Sequence, residues 1–174
     1  MKKEYQLVYD NVVLIGFMGS GKTSVGRILA RELFKEFVDV DTLIEKEQNA
    51  SITEIFKDKG EKHFRELEQK CINELTQKKG QIIATGGGLP IYSSISEKSL
   101  IIYIDADFDV ILNRLPKGER EKRPLLKDEA KARALFHERI ETYRNLATFS
   151  VDANQKIYIF IHVIRDFILD KRVL

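Results

Sequence analysis

Short apolar runs alternate with amphipathic stretches along most of this chain. The clearest runs consist of consecutive aliphatic residues, many of them β-branched, which is typical of strands buried on both faces of a parallel sheet. Five segments are predicted as strands: Val12–Ile15, Phe37–Asp41, Gln81–Ala84, Leu100–Ile104 and Phe149–Asp152.

Helical periodicity fills the intervals between these strands. Val25, Leu29 and Leu33 recur every fourth residue, and Ser51 precedes Glu54 by the three residues of a capping box. The predicted helices are Lys22–Leu33, Glu61–Gln77, Asp107–Leu115 with Asp107 as its cap, and Glu129–Asn145. The segment after Ile157 has helical spacing but begins with strand-like alternation. This order predicts a three-layer α/β/α sandwich around a central five-stranded parallel sheet.

We expect a single domain, because 174 residues match the usual size of one. Residues 1–10 match no motif and are predicted to be a peripheral N-terminal extension. Residues 116–128 contain two prolines, one glycine and many charges, and they are predicted to form a mobile lid loop.

Composition narrows the classes of function. The formal charge is +2, from 29 basic and 27 acidic residues, which argues against a polycation that coats nucleic acid. Cys71 is the single cysteine, so an intramolecular disulfide is excluded and a reducing cytoplasmic setting is expected. No apolar stretch is long enough to span a bilayer. Nothing demands a partner chain, and a monomer is expected.

A phosphate-binding motif follows the first predicted strand. Gly16–Thr23 matches G-x-x-x-x-G-K-[ST] at every fixed position and lies between a buried strand and an amphipathic helix, as the motif requires. Its backbone amides would surround phosphate oxygens, Lys22 would reach the β- and γ-phosphates, and the Thr23 hydroxyl would ligate Mg²⁺. The predicted ATP-binding residues here are Gly19, Ser20, Gly21, Lys22, Thr23 and Ser24. The alternative is a simple glycine turn with Lys22 facing solvent.

Two acids end the second predicted strand. Asp39 and Asp41 are two residues apart, so on a strand they would point to the same face, at the sheet edge where ligands of α/β proteins bind. We assign Asp39 to the water shell of the metal and Asp41 to the acceptor substrate. Solvated turn carboxylates, or Asp41 as a helix cap, remain alternatives.

The combined motifs resemble the shikimate kinases from Val13 to about Asn154. Each later motif is short, but their order and spacing after a phosphate loop are specific. Besides the phosphate loop and the aspartate pair, the matching segments are Gly60-Glu61 with Phe64-Arg65 and Glu68, Ala84–Gly88, Arg123–Leu126, and Arg139 with Tyr143-Arg144.

The resemblance implies transfer of the ATP γ-phosphoryl group to the 3-hydroxyl of shikimate, with Mg²⁺ as cofactor. It implies that shikimate is bound by Asp41, Arg65, Gly87 and Arg139, in a turn shaped by Gly86 and Gly88. The residue chemistry agrees, because the planar fork of an arginine can bond both oxygens of a carboxylate. On residues alone, Arg65 and Arg139 could equally form ordinary surface ion pairs with nearby glutamates.

For the nucleotide, the resemblance implies that Arg123 closes over the phosphates from the lid. Lys156 stands where the family often has an arginine that contacts the nucleotide, and contacts of Arg114 and Asn154 with adenine stay open. Lys22, Asp41 and Arg123 are the predicted catalytic residues. Phe34 departs from a glycine that is frequent in the family.

Other functions stay open at this stage. The nearest is another small-molecule kinase, acting on gluconate or a nucleotide. A non-catalytic protein that uses ATP as a switch belongs to a different class, and the balanced charge makes a nucleic-acid-binding role the weakest option.

Overall fold

A parallel five-stranded sheet organises the part of the chain that our computed structural model describes, residues 9–116, 118, 120 and 124–170. The spatial order is β2-β3-β1-β4-β5, and all the paired strands are parallel. The strands are β1 (Asn11–Ile15), β2 (Glu36–Asp39), β3 (Gln81–Ala84), β4 (Ser99–Asp105) and β5 (Phe149–Asp152).

Helices lie on both sides of this sheet, so the predicted α/β/α fold class is confirmed. They are α1 (Lys22–Leu33), α2 (Val40–Gln48), α3 (Ile52–Gln77), α4 (Leu89–Tyr92), α5 (Phe108–Arg114), α6 (Glu129–Leu146) and α7 (Ile157–Asp170). The segment after Ile157 is therefore a helix; its buried face includes Phe160, Ile161 and Ile164. Among the described residues, no helix is long and apolar enough to cross a membrane.

The core explains why the phosphate-binding motif is held firmly. Every residue of β1 is buried, because the strand lies between β3 and β4 and is covered on both faces. Val25 and Leu29 of α1 are fully buried, and α1 packs on β2 and β3. The loop between β1 and α1 thus lies at the carboxyl edge of the sheet, near its centre, where α/β proteins bind ligands.

The second strand is shorter than predicted. It ends at Asp39, whose carboxylate caps α2 by accepting a hydrogen bond from the Thr42 amide at 3.2 Å. Asp41 consequently lies in the first turn of α2. The prediction that Asp39 and Asp41 project from one face of a strand was wrong, because the capping interaction starts a helix between them.

Two other helix predictions need adjustment. The capping box of Ser51 and Glu54 is confirmed, and it starts α3 nine residues before the predicted Glu61. Gly60, with φ 81°, interrupts the helical geometry of α3 just before that residue. Asp107 occupies the N-cap position of α5, but its side chain makes no capping hydrogen bond.

The predicted lid is described only in part. Residues 124–126, near the end of the predicted mobile lid loop, form a 3₁₀ helix. Arg123 and residues 1–8 lie outside the described residues.

Candidate active site

A cavity of about 760 Å³ opens where the phosphate loop, β2 and β3 end. It brings together most of the residues that the sequence assigned to the nucleotide, the metal and the acceptor. Of the predicted site residues it is lined by Gly19, Ser20, Gly21, Lys22, Thr23, Ser24, Asp39, Asp41, Gly86, Gly87 and Lys156. Arg65, Gly88 and Arg139 lie beside these residues rather than in the lining.

Lys22 is integrated into the phosphate loop. Its side chain is buried, and its ammonium group donates to the carbonyls of Gly16 at 2.7 Å and Phe17 at 2.8 Å. The surface-lysine alternative is therefore excluded. A buried cation at the N-terminus of α1 adds to the positive potential of the helix end, which favours an anionic ligand.

Thr23 and Asp39 bring two side-chain oxygen atoms together at the edge of the cavity. The Thr23 hydroxyl donates to Asp39 Oδ2 at 2.8 Å, while Oδ1 of the same carboxylate caps α2. Two adjacent oxygens on rigid elements suit Mg²⁺, which usually takes few protein ligands and completes its shell with water and phosphate. Among the described residues, no group of three or more acidic, histidine or cysteine side chains is placed to hold a metal ion.

Asp41 lies against the triple-glycine turn. A Cβ atom on Gly86 would lie 2.6 Å from Asp41 Oδ1, so only glycine permits this approach. That oxygen is buried and has no hydrogen-bond donor among the described residues. Burial and the neighbouring Asp39 raise the pKa of Asp41 to about 6, against the opposing effect of Lys22. A buried acceptor without a donor is suited to receive a hydroxyl group of a substrate.

Arg65 projects from α3 onto the same turn. Nη1 donates to Glu68 at 2.6 Å and Nη2 donates to Glu61 at 2.9 Å. A Cβ atom on Gly88 would lie 2.5 Å from Nη1, and the guanidinium carbon is 4.3 Å from the centre of the Tyr92 ring. The ion-pair alternative is thus correct in part, but the pair orients the guanidinium against the glycine turn instead of leaving it in solvent.

Glu68 is the buried carboxylate that pairs with Arg65. It is 1% exposed, and burial raises its pKa to about 7 against the opposing pull of Arg65. For Arg65, burial alone lowers the pKa, but the bonds to Glu68 and Glu61 outweigh it and the net pKa is raised. The two arginine–glutamate pairs therefore keep one cation fixed beside Asp41.

Arg139 on α6 is buried, which argues against its being a surface ion pair. Its Nε atom has no hydrogen-bond partner among the described residues. One turn later Tyr143 donates its hydroxyl to the Gly87 carbonyl at 2.5 Å. Tyr143 was not predicted as a functional residue. It lies in the late segment that resembles the family, but its contact with Gly87 joins residues 56 positions apart, which a local sequence pattern does not indicate.

The far end of the cavity is formed by α5 and the start of α7. The Arg114 guanidinium donates to the Gln155 carbonyl, and Asn154 accepts a hydrogen bond from the Asp107 amide at 2.8 Å. Lys156 lines the cavity, with Tyr158 beside it. The sequence did not single out Tyr158, because its position indicates only the first turn of an apolar helix.

Comparison with known proteins identifies the same family over most of the chain. A family model described as "Shikimate kinase" matches residues 18–168. A shikimate kinase of Helicobacter hepaticus is 42% identical over 146 residues, covering 83% of this chain and 87% of the relative. One of Sulfurihydrogenibium sp. is 41% identical over 151 residues, covering 84% and 89%. The structure of a shikimate kinase from Acinetobacter baumannii in complex with shikimate superposes with a TM-score of 0.84 at 33% identity, covering 95% of this chain and 96% of that one.

Proposed function

Because this chain belongs to the shikimate kinase family, we propose that it transfers the γ-phosphoryl group of ATP to the 3-hydroxyl of shikimate. The products are shikimate 3-phosphate and ADP. The observation that carries the proposal is the proximity of three groups at one edge of the sheet: the phosphate loop with Lys22, the buried acceptor oxygen of Asp41, and the paired guanidinium of Arg65.

The nucleotide half of the reaction rests on the phosphate loop. Gly19, Ser20, Gly21 and Ser24 surround the phosphates, with Lys22 near the γ-phosphoryl group. Thr23 and, through water, Asp39 would hold Mg²⁺. Held there, Mg²⁺ would neutralise negative charge on the phosphates of ATP. Lys156 contacts the nucleotide at the other end of the cavity.

Binding of the acceptor substrate depends on the carboxylate of Asp41 and on two guanidinium groups, those of Arg65 and Arg139. Asp41 Oδ1 accepts a hydrogen bond from the 3-hydroxyl and orients its oxygen for in-line attack. Arg65 and Arg139 bind the carboxylate of shikimate, because a planar fork bonds both oxygens. Gly86, Gly87 and Gly88 form the turn along which the small ring lies. A side chain on Gly86 would collide with Asp41 and one on Gly88 with Arg65, while one on Gly87 would crowd the Met18 amide.

Charge that develops during transfer is stabilised by cations placed in advance. Lys22 supplies one of them from a buried position. Arg123 supplies a second as the lid closes over the phosphates and excludes water, a role that rests on the family resemblance. The single cysteine, Cys71, is buried and cannot form an intramolecular disulfide, which fits an enzyme of the reducing cytoplasm; we propose that the enzyme acts as a monomer.

Thermal unfolding with ligands tests the proposal. Shikimate should raise the Tm of the wild type, and more so with Mg-ADP present, because a ligand that binds only the folded state stabilises it. Arg139→Ala should abolish the shikimate-dependent shift. Arg144→Ala, on the same helix but bonded to Asp105, should retain it. Stabilisation by gluconate or a nucleoside monophosphate in place of shikimate would contradict the proposal.

A further inference from the structure

Tyr143 makes a long-range contact that the proposed mechanism does not use. Its side chain is 0% exposed, and its hydroxyl donates to the carbonyl of Gly87 at 2.5 Å. The bond joins α6 to the triple-glycine turn. Its ring lies 5.4 Å from that of Tyr103, a second fully buried tyrosine whose hydroxyl has no hydrogen-bond partner among the described residues.

Gly87 also lies close to the phosphate loop. A Cβ atom on Gly87 would lie 3.2 Å from the Met18 amide nitrogen and 3.6 Å from the Gly16 carbonyl oxygen. The turn therefore lies against the phosphate loop and is also hydrogen-bonded to α6. Because a peptide group is planar, fixing the Gly87 carbonyl also fixes the direction of the Gly88 N–H.

Arg139 stands one turn before Tyr143 on the same face of α6. Burial raises the pKa of Tyr143 to about 12, partly opposed by the nearby Arg139, so the phenol stays a neutral donor near neutral pH. The same face of α6 thus carries two donors. The Arg139 guanidinium is assigned to the carboxylate of the acceptor substrate, and the Tyr143 hydroxyl is bonded to the turn.

We propose that Tyr143 is a positioning residue for the acceptor: its hydroxyl fixes the triple-glycine turn relative to Arg139, so that both hold one carboxylated acceptor. This inference rests on the proposed function. It predicts that the hydroxyl matters for binding of shikimate and not for binding of ATP, whose phosphates are surrounded by the loop before α1.

Steady-state kinetics of matched variants test the division between the substrates. Tyr143→Phe keeps the ring and leaves the Gly87 carbonyl without its donor, which should raise KM for shikimate by about three- to tenfold. The KM for ATP and kcat should each stay within about twofold of wild type. Tyr103→Phe removes a buried hydroxyl from the same aromatic pair without touching the turn, and both KM values should stay unchanged.

The sequence offers a direct probe of the turn. The only Gly–Gly bonds in the chain are those of Gly86–Gly87–Gly88. Protein labelled with ¹³C-carbonyl and ¹⁵N glycine therefore gives carbonyl-coupled amide signals from Gly87 and Gly88 alone. In Tyr143→Phe the Gly88 signal should move, because its nitrogen shares a peptide with the released carbonyl, while Tyr103→Phe should keep both signals in place.

The outcomes separate the two claims. An active wild type whose Tyr143→Phe variant keeps the same KM for shikimate, or loses affinity for ATP equally, would overturn the positioning role. Unmoved Gly88 resonances in that variant would overturn it as well. Failure of the wild type to turn over shikimate at all would overturn the proposed function, and this inference with it.

Discussion

Asp41 and Glu68 direct their carboxylates at the same glycine. A Cβ atom on Gly86 would lie 2.6 Å from Asp41 Oδ1 and 3.2 Å from Glu68 Oε1. Two neighbouring acids disfavour double ionisation, and the partial burial of Asp41 and the full burial of Glu68 are the largest causes that raise their pKa values. The negative charges of these carboxylates therefore cost stability, and the proposed function requires the charge of Asp41.

Replacing Asp41 by asparagine should stabilise the protein while abolishing its activity. The pKa of Asp41 is about 6 in the folded state against an ordinary value of 3.8, so the folded state binds the proton more tightly. The corresponding stability is full below about pH 4 and is lost as pH rises through about 6. The asparagine side chain mimics the protonated form, and Asp41→Asn should exceed the wild type in free energy of unfolding above that range by about 1–3 kcal/mol.

Urea denaturation at a series of pH values measures this difference. The gap between variant and wild type should shrink as the pH falls toward about 4. A gap that is equal at all pH values would contradict the electrostatic explanation.

The pH profile of the reaction should report the same carboxylate. Protonation removes the negative charge that makes Asp41 a strong acceptor for the 3-hydroxyl, so kcat/KM for shikimate at saturating Mg-ATP should fall as the pH drops below about 6. Initial rates across this range provide the measurement. A profile that stays flat to about pH 5 would show that Asp41 need not be ionised.

The hydroxyl of Thr23 should govern the requirement for Mg²⁺. Thr23→Val keeps the shape of the side chain but removes the group that bonds Asp39 Oδ2 at 2.8 Å. The Mg²⁺ concentration for half-maximal rate should rise, and kcat should fall by at least about tenfold. Thr42→Val is the matched control, since its exposed hydroxyl lies 3.4 Å from the other oxygen of Asp39. Equal effects of the two substitutions would argue against a metal-binding role for Thr23.

A methyl group at Gly88 should weaken shikimate binding without unfolding the protein. The added Cβ would lie 2.5 Å from Arg65 Nη1, which is the end of a flexible side chain and can move away. Gly88→Ala should raise KM for shikimate by at least about tenfold, because the displaced guanidinium no longer meets the carboxylate. Calorimetric measurement of shikimate and ATP affinities checks this result; an equal loss for both ligands would point to general damage of the site.

Phe34 makes the folded protein less stable than a glycine at the same position would. It ends α1 in the left-handed conformation, with φ 54°, and its side chain is 95% exposed. Phe34→Gly should raise the free energy of unfolding by up to about 1 kcal/mol, because glycine adopts this conformation without steric cost. Asn49 ends α2 with φ 48°, and since asparagine tolerates this conformation, Asn49→Gly should gain less. Denaturant unfolding of the two variants compares them, and a loss of stability in Phe34→Gly would contradict the prediction.

The sequence was most informative where structure is local. The phosphate loop, β1 and α1 were predicted with correct bounds or nearly so, because buried runs and helical spacing depend on consecutive residues. The end of β2 was not, because Asp39 can end a strand or cap a helix and only the bond to Thr42 decides between them.

Contacts between distant segments could not be predicted in the same way. Glu68 was recognised as a neighbour of Arg65 on α3, but its approach to Asp41 depends on how α3 packs beside the glycine turn. The burial of Arg139 and the bond from Tyr143 to Gly87 likewise depend on the docking of α6. The family resemblance pointed to segments that the fold brings to one edge of the sheet, and the contacts between them depend on tertiary packing.

The central claim is that the phosphate loop and the residues that bind shikimate form one active site. Phosphoryl transfer by the purified wild-type protein, followed by ³¹P NMR with Mg-ATP and shikimate, tests this central claim most directly. We predict ADP and shikimate 3-phosphate in equal amounts, with no transfer by Asp41→Asn. ATP turnover that is independent of shikimate, or a folded wild-type protein that forms no phosphorylated shikimate, would contradict the claim.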